Sequence, residues 1–92
     1  MTEPMPARSI RRAIEFAHDA AAVMHEQVAA AYERAADICD AFDDETRSSH
    51  FRERAHSEHG AAGRERDAAA SSRASATSTT EDNESGGSQD NE

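Results

Sequence analysis

Five histidines, one cysteine and nineteen acidic residues among 92 are the reactive groups of this chain. His56 and His59 are three apart, with His50 near by, a spacing that on a helix permits chelation from neighbouring turns. Glu15-Phe16-Ala17-His18 and Glu53-Arg54-Ala55-His56 each have the Glu-x-x-His spacing of carboxylate-bridged di-iron bundles. Geometry opposes that reading. In a hairpin folded near Thr46, Glu53 lies by the loop and Glu15 at the far end, and no companion glutamates face them. Cys39 is a poor nucleophile candidate, because His25 is two heptads away, about 21 Å by helical rise, and the surrounding carboxylates do nothing to activate a thiol. The chain has no Gly-rich phosphate loop, nucleophile elbow or zinc-finger spacing. No catalytic residue, metal ligand or cofactor is expected, and the histidines read as surface or packing residues.

The elements that hold these groups are dominated by one pattern. Ile10, Ile14, Ala17, Ala21, Met24, Val28, Ala31, Ala35, Ile38 and Phe42 follow an unbroken 3-4 alternation. With Ile14 at a and Ile10 at d, this is a heptad seam, and it predicts one long amphipathic helix over about 7–43. Pro4 and Pro6 suit its lead-in. No Gly or Pro interrupts Ala7 to Phe42, and Ala is the commonest residue there. Large and small layers alternate along the seam, nearly palindromically about Glu26. Basic residues (Arg8, Arg11, Arg12) crowd its start and acidic ones (Asp37, Asp40, Asp43, Asp44) its end, against the macrodipole. Together these predict an antiparallel partner. In a symmetric dimer centred near Glu26, Arg8 would lie near Asp44, Arg12 near Asp40, and His25 near its own mate. The seam is the expected interface.

A seven-residue repeat runs through the same stretch: His18-Asp19, His25-Glu26, Tyr32-Glu33, Cys39-Asp40. The acidic member reads as the solvated face, and the member before it as a shoulder of the seam. After Phe42 the pattern breaks, and a turn at about 44–48 is expected. A second, shorter antiparallel helix over about 49–69 follows, capped by Ser48 or Ser49, with Phe51, Ala55, His59, Ala62 and Ala69 as its apolar side. Gly60 and Gly63 weaken it by about 1 kcal/mol each relative to Ala. One continuous helix to about residue 68 is the competing arrangement, and the hairpin is preferred.

Composition bounds the rest. Residues 71–92 contain no aliphatic residue larger than Ala and no aromatic, so the segment is read as a disordered acidic tail, and residues 1–6 as a flexible N-terminus. The roughly seventy residues between them have few large apolar side chains and no disulfide partner for Cys39, so association is the expected source of stability. A net charge of −9 disfavours nucleic acid and anionic membrane as partners. No apolar run of membrane-spanning length occurs, nor a basic-then-apolar leader. A lone cysteine fits a reducing cytoplasm.

The strings His25-Glu26-Gln27-Val28-Ala29-Ala30-Ala31-Tyr32-Glu33-Arg34-Ala35-Ala36 and Phe51-Arg52-Glu53-Arg54-Ala55-His56 resemble small Ala-, Arg- and His-rich helical proteins of actinobacteria. That resemblance spans about residues 14–70 and implies no active site.

The sequence therefore predicts an all-α helical hairpin, or coiled coil, that acts through helix–helix contact rather than catalysis. Its partner would be itself, as an antiparallel homo-oligomer, or another helical protein. An antitoxin-like regulatory adaptor that orders on binding a basic partner is the alternative. A histidine metal-binding protein is the least favoured.

Overall fold

The computed structural model describes the backbone of residues 6–89 and the side chains of residues 6–75. Among the described residues the chain forms two helices and no strand, α1 (Ala7–Ala41) and α2 (Glu45–Gln89), packed along one another as an antiparallel hairpin. The continuous-helix arrangement is thereby excluded. Residues 1–5, expected to be flexible, lie outside the described residues.

Helix α1 begins where Pro6, extended at ψ 146°, hands its carbonyl to the Ile10 N–H at 3.1 Å. No side chain caps this end, and neither terminus complements the helix dipole, with no acid in the first turn and no base in the last. The other end is closed tightly. Asp43 takes the left-handed conformation at φ 57°. Its N–H bonds to the Asp40 carbonyl at 3.0 Å, and the Asp44 N–H reaches back to the Cys39 carbonyl at 2.8 Å. These two bonds make a Schellman closure with Asp in the position that usually belongs to Gly.

Asp44 then starts α2. Its Oδ1 accepts the Arg47 N–H at 3.1 Å and its carbonyl accepts the Ser48 N–H at 3.0 Å, which is N-cap geometry. The turn is thus Phe42–Asp44 rather than 44–48. The cap is Asp44 rather than Ser48 or Ser49, because the Schellman closure reverses the chain several residues earlier than the loss of apolar residues suggested. The helical backbone of α2 also passes residue 69 and continues to Gln89, across the segment whose composition suggested a disordered tail. Contacts with α1 reach the start of this stretch, where Arg73 bonds to Asp19 just beyond the buried Ala69. Gly60 and Gly63 lie inside the helix without positive φ.

The packing between the helices is made of very small side chains. Ala22, Ala29 and Ala36 of α1 and Ala55, Ala62 and Ala69 of α2 are 0–3 % exposed, and Ser48 extends the α2 column by one heptad. Among the described residues no large side chain is fully buried. Each column steps by seven residues, so the two helices wind about each other with a heptad period. Ala at every step lets the backbones approach closely, which large side chains would prevent.

Candidate interaction face

The alanine columns decide which side of α1 meets α2. In the heptad frame with Ile14 at a, Ala22, Ala29 and Ala36 are at b, and polar contacts flank them on both sides. On one side, the residues at e meet α2: His18 Nδ1 lies 2.7 Å from Glu65, His25 Nδ1 lies 2.6 Å from Glu58, and Tyr32 stacks on Phe51 with ring centroids 6.0 Å apart. On the other side, the acidic residues at f meet a row of bases: Asp40 with Arg52 at 2.6 Å, Glu33 with His59 at 3.6 Å, Glu26 with Arg66 at 3.9 Å, and Asp19 with Arg73 at 2.5 Å. His59 also reaches Glu26 at 3.0 Å through Nδ1.

The acidic row is solvent-exposed, as expected, and also forms a helix-to-helix ladder. Arg52 holds together the α1 end near the turn, bonding Asp40, Ser48 and, at 3.4 Å, Asp37. The Arg52 hydrogen bond, helped by that of Ser48, holds the Asp40 carboxyl below its usual range. Asp40 in turn raises the Arg52 guanidinium. His59 is pushed above the ordinary histidine value, chiefly by the hydrogen bond to Glu26; desolvation, the next largest effect, opposes the rise, and the Glu26 charge and Glu33 add to it. These groups line a shallow open groove of about 390 Å³ bounded by Glu33, Asp37, Arg52, Ala55, His56 and His59. Its cationic groups Arg52 and His59 are already bonded across it to Asp37 and Glu33.

This arrangement changes two expected neighbours. Asp40 is taken by Arg52 and His25 by Glu58, so neither is placed to meet Arg12 or a symmetry-related His25 through the seam. Both residues stand at e and f, on the α2 side. Among the described residues no group of three His, Cys, Asp or Glu side chains is placed to hold a metal ion. His18 of the first Glu-x-x-His string bonds Glu65 instead. Cys39 is half-buried beside the turn.

The seam itself faces outward. Ile10, Ile14, Met24, Val28, Ile38 and Phe42 are each exposed by 40–80 %, and Ala17 and Ala31 are exposed too. Ala21 and Ala35, which lean towards α2, are half-buried. The structure thus gathers all ten residues on one face of α1 but leaves that face uncovered by α2. Phe16 and Val23, at c, extend it and are 75 % and 51 % exposed. They stand outside the 3-4 alternation, so the seam template passed over them.

Charge is sorted as strictly as size. Arg11, Arg12, Glu15, His18, Asp19, His25, Glu26 and Glu33 all occupy b, e or f on the α2 side. Positions a, c, d and g carry no charge from Ile10 to Ala31, and Arg34 is the first to break that stretch. Ordinarily a helix turns its apolar stripe inward and its charges outward. Here the hairpin encloses alanines between flanking, partly exposed ion pairs, and its large apolar side chains stand outside. Among the described residues no helix is long and apolar enough to cross a membrane. No protein-family model matches the chain, and comparison with curated proteins and with solved structures finds no similar chain.

Proposed function

We propose that the protein works by helix–helix association through the outer face of α1, without catalysis, in a reducing cytoplasmic compartment. The observation that carries this reading is the uncovered seam: six large apolar residues in a heptad stripe, each at least 40 % exposed, on a face free of charge for some twenty residues. Such a stripe costs free energy in water unless something covers it. Helix α2 acts as a brace. Its alanine contacts and ion pairs hold α1 straight and present the stripe. The lone Cys39 supports the reducing compartment, and the net charge of −9 supports a protein rather than a nucleic-acid partner.

A photoreactive amino acid placed at Val28 tests the reading in cells. The expected result is a covalent adduct with a protein from Val28 and none from the exposed α2 position Arg54. Equal or absent adducts at both positions would remove the support for this face. A second reading, a regulatory adaptor that orders on a basic partner, is favoured by the absence, among the described residues, of any fully buried large side chain between α1 and α2. It predicts a chain of low helicity at every concentration until such a partner is added, which circular dichroism across a dilution series measures.

A further inference from the structure

We propose that the occupant of the outer face of α1 is a second copy of this chain, lying antiparallel, so that two hairpins join α1 to α1. The inference rests on the docking reading above and names its partner.

Area is the first argument. An aromatic side chain buries on the order of 150–250 Å², and Ile, Val and Met stand at or below the lower part of that range. At the exposures found for the six seam residues that such a pairing covers, the stripe presents about 600 Å², as large as the largest apolar patch of a typical monomer and about three quarters of what each partner contributes to an interface of ordinary size. The second argument is self-complementarity. In an antiparallel pairing centred near Glu26, every a residue of one copy meets a d residue of the other: Ile10 with Phe42, Ile14 with Ile38, Met24 with Val28, and Ala with Ala between them. All six large seam residues are covered in that register, and none is left over.

The third argument fixes direction. Arg8, Arg11 and Arg12 stand at one end of α1, and the Asp37–Glu45 end is acidic beyond what Arg47 and Arg52 neutralise. These charges stand off the seam and make no contact across it, but at long range antiparallel copies bring ends of opposite charge alongside one another, whereas parallel copies align ends of like charge. A membrane surface fits less well. A helix lying in the interface carries Lys and Arg on its polar side, but here the f row is acidic from Asp19 to Asp40 and is engaged by α2.

Single-cysteine variants of the full chain test the proposal. Ala13→Cys and Ala41→Cys, each in a Cys39→Ser background, occupy g positions that face one another only in the antiparallel pair. Mixing the two under mild oxidation should give the mixed disulfide several-fold in excess of either self-linked species. Predominant self-linked Ala13→Cys dimers would overturn the antiparallel arrangement. A purified chain that forms no disulfide in any mixture and sediments at 10.0 kDa would overturn the second copy as occupant. In that event the photoreactive Val28 probe separates the two failures. An adduct with a different protein leaves the docking face standing without the homodimer, and no adduct removes both.

Discussion

Asp40 of α1 and Arg52 of α2 meet at 2.6 Å, the first rung of a ladder that repeats every seven residues along both helices through Glu33–His59, Glu26–Arg66 and Asp19–Arg73. Exposed ion pairs are individually weak. A regular row of them beside an alanine contact still fixes register, because a slip by one position would misplace every rung together. Replacing Arg52 by Gln removes three bonds at once, to Asp40, Asp37 and Ser48. The thermal midpoint of the hairpin should fall more for Arg52→Gln than for Arg54→Gln, an exposed neighbour with no such bonds among those described. Circular dichroism melts of the two variants make the comparison.

The titration of the same ladder gives helix pairing a pH optimum. Asp40 is held below its ordinary value of about 3.8 in the folded chain. Its contribution is therefore present above that value and is lost as pH falls through the lower folded one. His59 is raised above about 6.5. Its contribution is complete below 6.5 and is lost as pH rises through the raised value. Stability from these two groups is thus greatest between about pH 4 and 6.5. Melting across pH should show a decline above 6.5 that flattens in His59→Gln, and an unchanged slope in that variant would contradict the assignment.

The alanine columns predict a steric penalty in place of a cavity. Ala29 and Ala62 are both fully buried between the helices. Leu at either position should destabilise the hairpin by about 1–3 kcal/mol or more through overpacking, even though Leu is a strong helix former. Leu at the exposed Ala31 should have a far smaller effect. Chemical denaturation of the three variants distinguishes them.

Two backbone positions leave room for stabilisation. A Cβ at Gly60 would meet only the tip of Arg64 at 3.5 Å, and one at Gly63 would meet nothing within 4 Å. Gly60→Ala and Gly63→Ala should therefore each stabilise α2, by up to about 1 kcal/mol. Asp43 holds φ 57° without being Gly. Asp43→Gly should be neutral or stabilising, and Asp43→Val should cost about 1 kcal/mol or more, because a β-branched residue resists the left-handed region. Thermal midpoints report all four.

The helical character of the chain was legible from the sequence, and so was the outward stripe as a set of residues. The 3-4 alternation and the absence of Gly and Pro place α1 within two residues of its observed end. Which face of α1 meets α2 was not legible, for a physical reason. Hydropathy weights large side chains, so the seam outweighed Ala22, Ala29 and Ala36, whose value lies in being small. A usable signal was present in α2, where Ser48, Ala55, Ala62 and Ala69 repeat every seven residues beside Arg52, His59, Arg66 and Arg73. Set against the acidic row of α1 in reverse order, these bases spell out the ladder. The start of α2 was hidden because a Schellman closure built on Asp lacks the glycine that usually announces it.

Sedimentation equilibrium of the full chain beside Val28→Asp, at micromolar concentration, tests the pairing of two copies through this face most directly. Val28 lies at the centre of the seam and away from α2, so the substitution should leave the helical hairpin intact by circular dichroism. The account predicts twice the 10.0 kDa chain mass for the unaltered protein and the single-chain mass for Val28→Asp. Equal masses for the two proteins, with both hairpins folded, would contradict it.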